Sequence, residues 1–120
     1  RIVDLTENFC VVCPFASRFA FQVWILPRSE NFDFTSCDEE VRNELALHCR
    51  NIVTRYEVTL DTPAYNLLFH TEPFESSNGQ IGYFELFPRL TLAAGFELGT
   101  DIWVNPVAPE AAARRLRPSD

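Results

Sequence analysis

From Asp38 to Glu57, apolar side chains return at intervals of three and four: Val41, Leu45, His48/Cys49, Ile52 and Tyr56. That spacing fits one face of an α-helix and does not fit a strand. It predicts one long helix, Asp38–Glu57, with a single stripe that needs cover. Ser36-Cys37-Asp38-Glu39 in front of it predicts a capping box, in which the Ser hydroxyl and the Glu carboxylate satisfy free amides. Arg42, Glu44, Arg50 and Arg55 fall on the opposite face and are expected to be solvated. An amphipathic helix cannot bury its own stripe, so the remainder must supply a second layer.

That remainder breaks into short β-like runs. Ile2–Leu5 and Phe9–Cys13 flank Thr6-Glu7-Asn8, a turn-like triplet. Ala20–Leu26 alternates, with Phe21, Val23 and Ile25 on one face and Gln22, Trp24 and Leu26 on the other, before Pro27 ends it. Large apolar groups on both faces predict a central strand. Tyr65–Thr71 and Ile81–Phe87 read as a hairpin-like pair around the polar loop Glu75–Gln80, punctuated by Pro63, Pro73 and Pro88. Gly95 and Gly99 predict an extended or irregular Gly95–Val104. Pro109 followed by EAAARRLR predicts a short terminal helix, with its arginines at the negative end of the dipole. The expected fold is α+β: an antiparallel sheet of about five strands, the long helix on one face and the short helix at the C-terminus, forming one domain over residues 1–120.

Bulk properties narrow the partners. The formal charge of −7 disfavours nucleic acid and anionic membrane surfaces, which both require clustered cations. No apolar run approaches the roughly 20 residues of a membrane-spanning helix. The first residues, RIVDLTENF, lack the basic start and apolar stretch of a secretory signal. The chain has no Met, so the expectation is a start inside a longer reading frame or a processed chain, a fragment being the simpler reading. Cys10 and Cys13 sit three apart on a strand and point to opposite faces, so they cannot grip one ion without a local break in it. Cys49 lies on the apolar helix face, where a thiol acts as a small hydrophobe. Buried reduced cysteines, and with them a cytoplasmic location, are the expectation.

Several motifs recur in one order: CPFASRFAFQVWILP (Cys13–Pro27), YNLLFHTEPF (Tyr65–Phe74), ELFPRLT (Glu85–Thr91), AGFELGT (Ala94–Thr100) and VNPVAPEAAARRLR (Val104–Arg117). Together they resemble the C-terminal half of galactose-1-phosphate uridylyltransferases and the related ADP-glucose phosphorylases, of the histidine-triad superfamily. The resemblance implies a histidine-triad-like domain from an enzyme that passes a nucleotidyl group through a covalent histidine intermediate. The His-Pro-His nucleophile motif of that family belongs to the other half, and neither His48 nor His70 stands in such a motif.

The resemblance also implies a metal position that this chain has lost. His70 matches the first ligand, but Ile81 and Tyr83 stand where the family reads His-x-His, and Glu30 replaces a further His. Ile cannot ligate, and a phenol with a pKa near 10 is a poor substitute. The expectation is no catalytic residue, no metal and no cofactor, with His70 a residual ligand position at most. Glu85 and Glu97 are candidate acid–base groups, set against a structural role.

Substrate contacts are expected at Arg89, which can reach a phosphate or pin its loop, and at Phe96, Glu97 and Trp103, since the AGFEL region of relatives reaches the neighbouring subunit's active site. The implied function is a domain not catalytic alone that supplies scaffold, dimer surface or part of a UDP- or ADP-sugar pocket. Its partners would be the N-terminal half of the same enzyme or a second copy. The alternative is a pseudoenzyme, a binding or assembly module that kept the fold after its histidines were lost.

Overall fold

The computed structural model describes residues 1–61, 64–71, 82–90 and 93–118. Its elements in chain order are β1 (Ile2–Leu5), β2 (Phe9–Val12), β3 (Val23–Pro27), α1 (Glu39–Leu60), β4 (Tyr65–His70), β5 (Tyr83–Pro88), α2 (Gly95–Thr100) and α3 (Pro109–Leu116). The strands form one five-stranded antiparallel sheet in the order β1-β2-β3-β5-β4, so β3 is central and β1 and β4 are the edges. The loop Glu75–Gln80, Ile81, Pro63 and Pro73 lie outside the described residues.

Period-2 alternation decides what the sheet buries. Phe9, Val11, Val23, Ile25 and Leu86 form one face and pack with Leu45, Ile52 and Tyr56 of α1 and with Ala112, Ala113 and Leu116 of α3. The buried stripe of α1 is Leu45, His48, Ile52 and Tyr56, as its spacing predicts. Tyr56 is 1% exposed, and its hydroxyl donates to the Phe21 and Leu86 carbonyls at 2.7 and 3.3 Å. The phenol thus anchors α1 to the start of β3 and to β5, and burial holds its pKa well above the usual tyrosine value.

Several expectations are corrected. β3 begins at Val23 and not at Ala20, because Phe21 adopts φ 62° and the Gln22 N–H donates to the Phe19 carbonyl at 3.2 Å, closing a turn. A left-handed Phe is unusual; here it drives the ring into the core, 3% exposed, beneath the Arg115 guanidinium. The Ser36 capping box does not form. Asp38 is the N-cap, without a side-chain cap bond, and Ser36 lies in a turn organised by Asp33. The Asp33 carboxylate accepts from the Thr35 N–H and hydroxyl at 2.9 and 2.7 Å, which lowers its pKa. α1 runs past Glu57 to Leu60 and stops where Asp61 turns left-handed, its N–H donating to the Glu57 carbonyl.

Two residues assigned to the solvated side of α1 are engaged instead. Glu44 is half-buried and accepts from the Thr6 hydroxyl and from the Asn8 amide and side chain. Arg55 donates to the carbonyls of Leu116 and Arg117, satisfying the open end of α3. Finally, Gly95–Thr100 is helical and not irregular. Glu97 reaches back to accept the Ala94 N–H at 3.2 Å, and Asp101 closes the other end with φ 56°. A Glu three residues into a helix is itself a start signal, and the flanking glycines obscured it.

Candidate ligand cleft and the His70–Glu85 cluster

Aromatic packing on the sheet face away from α1 builds a cleft. Phe87 of β5 stacks flat on Phe19, with centroids 4.3 Å apart and planes 11° apart. Trp103, beyond α2, meets Phe19 edge-on at 5.1 Å. Arg18 lays its guanidinium 4.6 Å from the Trp103 ring centre. Arg89 leaves the end of β5, and its N–H donates to the Ala64 carbonyl at 3.0 Å, fixing its position beside β4. These groups, with Asn66 and Glu97, surround about 240 Å³ of space.

Three of the four residues singled out in the sequence therefore converge: Arg89, Glu97 and Trp103 line the cleft. Phe96 does not line it and is 55% exposed. It belongs instead to a run of exposed apolar groups with Leu98, Ile102 and Val104.

The second cluster lies where β3, β5 and β4 run side by side. Glu85 pairs with Trp24 on one side and Leu68 on the other, and its side chain is close to fully buried. One carboxylate oxygen accepts from the Gln22 amide and from the Trp24 indole N–H at 2.9 Å; the other lies 3.3 Å from His70 Nε2. Tyr83, opposite His70 in the ladder, stacks on the imidazole at 4.5 Å and 17°. The strands approach closely at Gly82, where a Cβ would sit 3.0 Å from the His70 carbonyl oxygen and the neighbour would have to shift by a few tenths of an ångström.

The cluster does not suit a cation. Glu85 is already hydrogen-bonded on both oxygens, and burial together with the Glu85 charge raises the Tyr83 pKa, which keeps the phenol protonated. One imidazole with these neighbours is not a zinc or iron ligand set. Among the described residues no three His, Cys, Asp or Glu side chains come together to hold an ion. Ile81 lies outside the described residues, and its side chain has no donor atom.

His48 is also committed. It is 4% exposed; Nδ1 lies 3.4 Å from Asp4, and Nε2 lies 2.9 Å from the Thr6 hydroxyl and 4.0 Å from Glu44. It ties β1 and the turn after it to α1. The four cysteines are free thiols, with Cys13 buried and Cys10, Cys37 and Cys49 half-buried. Burial pushes the Cys13 thiol up to about 11, unsuited to a nucleophile.

Against known proteins, no protein-family profile matches the chain. Over 120 residues it is 30% identical to the ADP-glucose phosphorylase of Arabidopsis thaliana, which covers 97% of this chain and 34% of that protein. It is 29% identical over 132 residues to the galactose-1-phosphate uridylyltransferase of Thermotoga maritima, with 100% and 41% covered. The crystal structure of the Arabidopsis thaliana ADP-glucose phosphorylase with bound ADP-glucose superposes with a TM-score of 0.90 at 28% identity, over 99% of this chain and 40% of that one. The chain is homologous to one portion of the ADP-glucose phosphorylases and galactose-1-phosphate uridylyltransferases.

A zinc-bound histidine triad family protein from Mycobacterium smegmatis superposes at 0.64 with 17% identity, over 97% of this chain and 80% of that one, a likeness of fold alone. The fold of the chain is thus histidine-triad-like. The chain spans about two-fifths or less of the length of the curated relatives it matches.

Around the cleft and the Glu85 cluster, sequence reasoning missed Arg18, Phe19, Asn66 and Gln22. Arg18 and Phe19 stand inside the CPFASRF motif, but nothing local places them against Trp103. Only the turn at Phe21 and the return of the chain after α2 do so.

Proposed function

We propose that the chain forms one C-terminal, histidine-triad-like domain of a sugar-nucleotide nucleotidyltransferase and lends it a wall of the substrate pocket without performing the chemistry. The observation that carries this reading is the fate of the two histidines. Phosphoryl attack needs an imidazole with an open nitrogen, an orienting partner and donors for the phosphate oxygens. His48 is buried with both nitrogens facing oxygen atoms, and His70, which has Glu85 on Nε2 and a half-exposed ring, stands outside the lining of the cationic cleft. The cleft that does hold cationic and aromatic groups has no imidazole in its lining.

In this reading Trp103 offers a flat apolar surface to a sugar or base, Glu97 an acceptor for hydroxyls, and Arg89 a charge for phosphate. The nucleophile comes from the other half of the enzyme, in a cytoplasmic protein. Calorimetry of the chain with UDP-glucose and ADP-glucose tests it. Binding is expected without turnover, weakened by Trp103→Ala and by Glu97→Ala. Release of nucleotide or sugar phosphate at enzymatic rates by the purified chain would overturn it.

A second reading is favoured by the exposed Phe96, Leu98, Ile102 and Val104. Several exposed apolar groups along one stretch of chain suit a protein interface, either a homodimer surface or the contact of an assembly module that has lost its enzyme role. An intact His-Pro-His strand motif upstream in the parent reading frame supports the enzyme; its absence supports the module.

A further inference from the structure

We infer that His70, Glu85 and Gln22 form a metal-free staple, a directed chain of hydrogen bonds. It holds the edge strand β4 on the sheet and sets the turn that carries Arg18 and Phe19 into the cleft. The hold on β4 stands by itself; the positioning of the cleft rests on the reading of that cleft as a ligand site.

The donor set decides against a cation. His70 and Tyr83 stand where the resemblance places metal ligands, yet their atoms are turned to other partners. An ionised carboxylate only accepts hydrogen bonds, so the His70 Nε2 that lies 3.3 Å from Glu85 Oε1 carries its proton and has no lone pair to give. Glu85 Oε2 takes N–H groups from both Gln22 and Trp24, which fills it. The Tyr83 ring covers the face of the imidazole, with centroids 4.5 Å apart and planes 17° apart.

Separate segments meet through these bonds. β4 gives His70, β5 gives Glu85, β3 gives Trp24, and Gln22 comes from the turn before β3. Gln22 is 3% exposed and uses both ends of its side-chain amide. The NH2 donates to Glu85, and Oε1 accepts the Arg18 N–H at 2.7 Å. Its backbone N–H donates to the Phe19 carbonyl at 3.2 Å. A buried amide engaged at both ends holds one orientation, and here it fixes how Arg18 and Phe19 leave the turn. At the far end of the β4–β5 ladder Asn66 pairs with Phe87, and both line the cleft with Arg18 and Phe19. The pairing that His70 secures at one end of β4 thus sets the cleft wall at the other.

The test needs no ligand. Amide exchange along Tyr65–His70, the NMR signals of the two tryptophan indoles and the metal content of the purified chain are measured together. His70→Phe keeps a ring and removes the bond to Glu85. It is expected to speed exchange of the β4 amides about tenfold or more while the α1 amides stay as they are. His70→Gln, which keeps an N–H donor, is expected to recover part of that protection. Gln22→Met is expected to shift the Trp103 indole signal, since Trp103 lies against Arg18 and Phe19. The chain is expected to purify without stoichiometric zinc or iron and to unfold at the same temperature in EDTA as with added zinc or ferrous iron. Stoichiometric metal that is lost in His70→Phe, with stability that EDTA removes, would overturn the metal-free assignment. Unchanged β4 exchange in His70→Phe sinks the staple, and an unmoved Trp103 signal in folded Gln22→Met sinks its reach into the cleft. In the unaltered chain the Gln22 side-chain amide and Trp24 indole protons are expected to exchange slowly; fast exchange of either defeats the proposal even where a variant fails to fold. No outcome depends on sugar-nucleotide binding, so failure here and failure of the proposed function are told apart.

Discussion

Tyr56 and Glu44 show how single polar atoms hold this fold together. The Tyr56 hydroxyl satisfies two buried carbonyls from different strands. Tyr56→Phe keeps the ring and strands those acceptors, so it is expected to lower unfolding free energy by about 1–3 kcal/mol in urea titrations. Glu44 carries a pH signature. Burial alone would raise its pKa, but hydrogen bonds from Asn8 and Thr6 and the neighbouring His48 outweigh that, and the net shift is downward from 4.5. A lowered folded-state pKa means a contribution present above the unfolded value and lost as pH falls through the folded one. Stability is therefore expected to fall on acidification below about pH 4.5. Glu44→Gln should flatten that part of the curve in denaturation series across the acid range. The apolar stripe that placed His48 inward was legible from spacing. That Glu44 faces the turn between β1 and β2 was not, because its oxygens meet Thr6 and Asn8 only after the sheet folds against α1.

Elements were legible where their pattern is internal to them. The stripe of α1 and the alternation of β2 and β3 each repeat within a few residues, and each forms where its period predicts. Ends were read less well, because they depend on partners. The beginning of β3 is set by the left-handed Phe21 with its ring in the core, and the end of α1 by a left-handed Asp61. Glycine adopts that conformation without the cost of a Cβ. Asp61→Gly is expected to raise stability by about 0.5–1 kcal/mol, read as a higher urea midpoint with an unchanged slope. α2 was missed because Gly95 and Gly99 outweighed Glu97 in a purely local reading, while the bond from Glu97 to the Ala94 N–H stabilises the turn.

At the scale of the whole molecule, α1 and α3 cover one sheet face, and apolar surface remains elsewhere. Tyr65, Leu67, Leu68 and Phe69 of the edge strand β4, and Phe96, Leu98, Ile102 and Val104 around α2, are all more than 40% exposed. Surface of this kind is expected to be covered in an assembly. Sedimentation should show concentration-dependent association of the chain, abolished by Leu98→Glu with Ile102→Glu while circular dichroism stays unchanged. An unaltered chain that remains monomeric at high concentration would sink that expectation.

The amino-acid order by itself determined the layers: one long helix and short alternating strands. These depend on side-chain type and period, which need no distant partner. Only the tertiary structure decided the site, because its members come from separate parts of the chain. Arg18 and Phe19 meet Phe87, Arg89 and Trp103 through the turn at Phe21, the β3–β5 pairing and the return of the chain past α2. Long-range closure of that kind is set by how the sheet and core pack, and no local pattern in the chain encodes it.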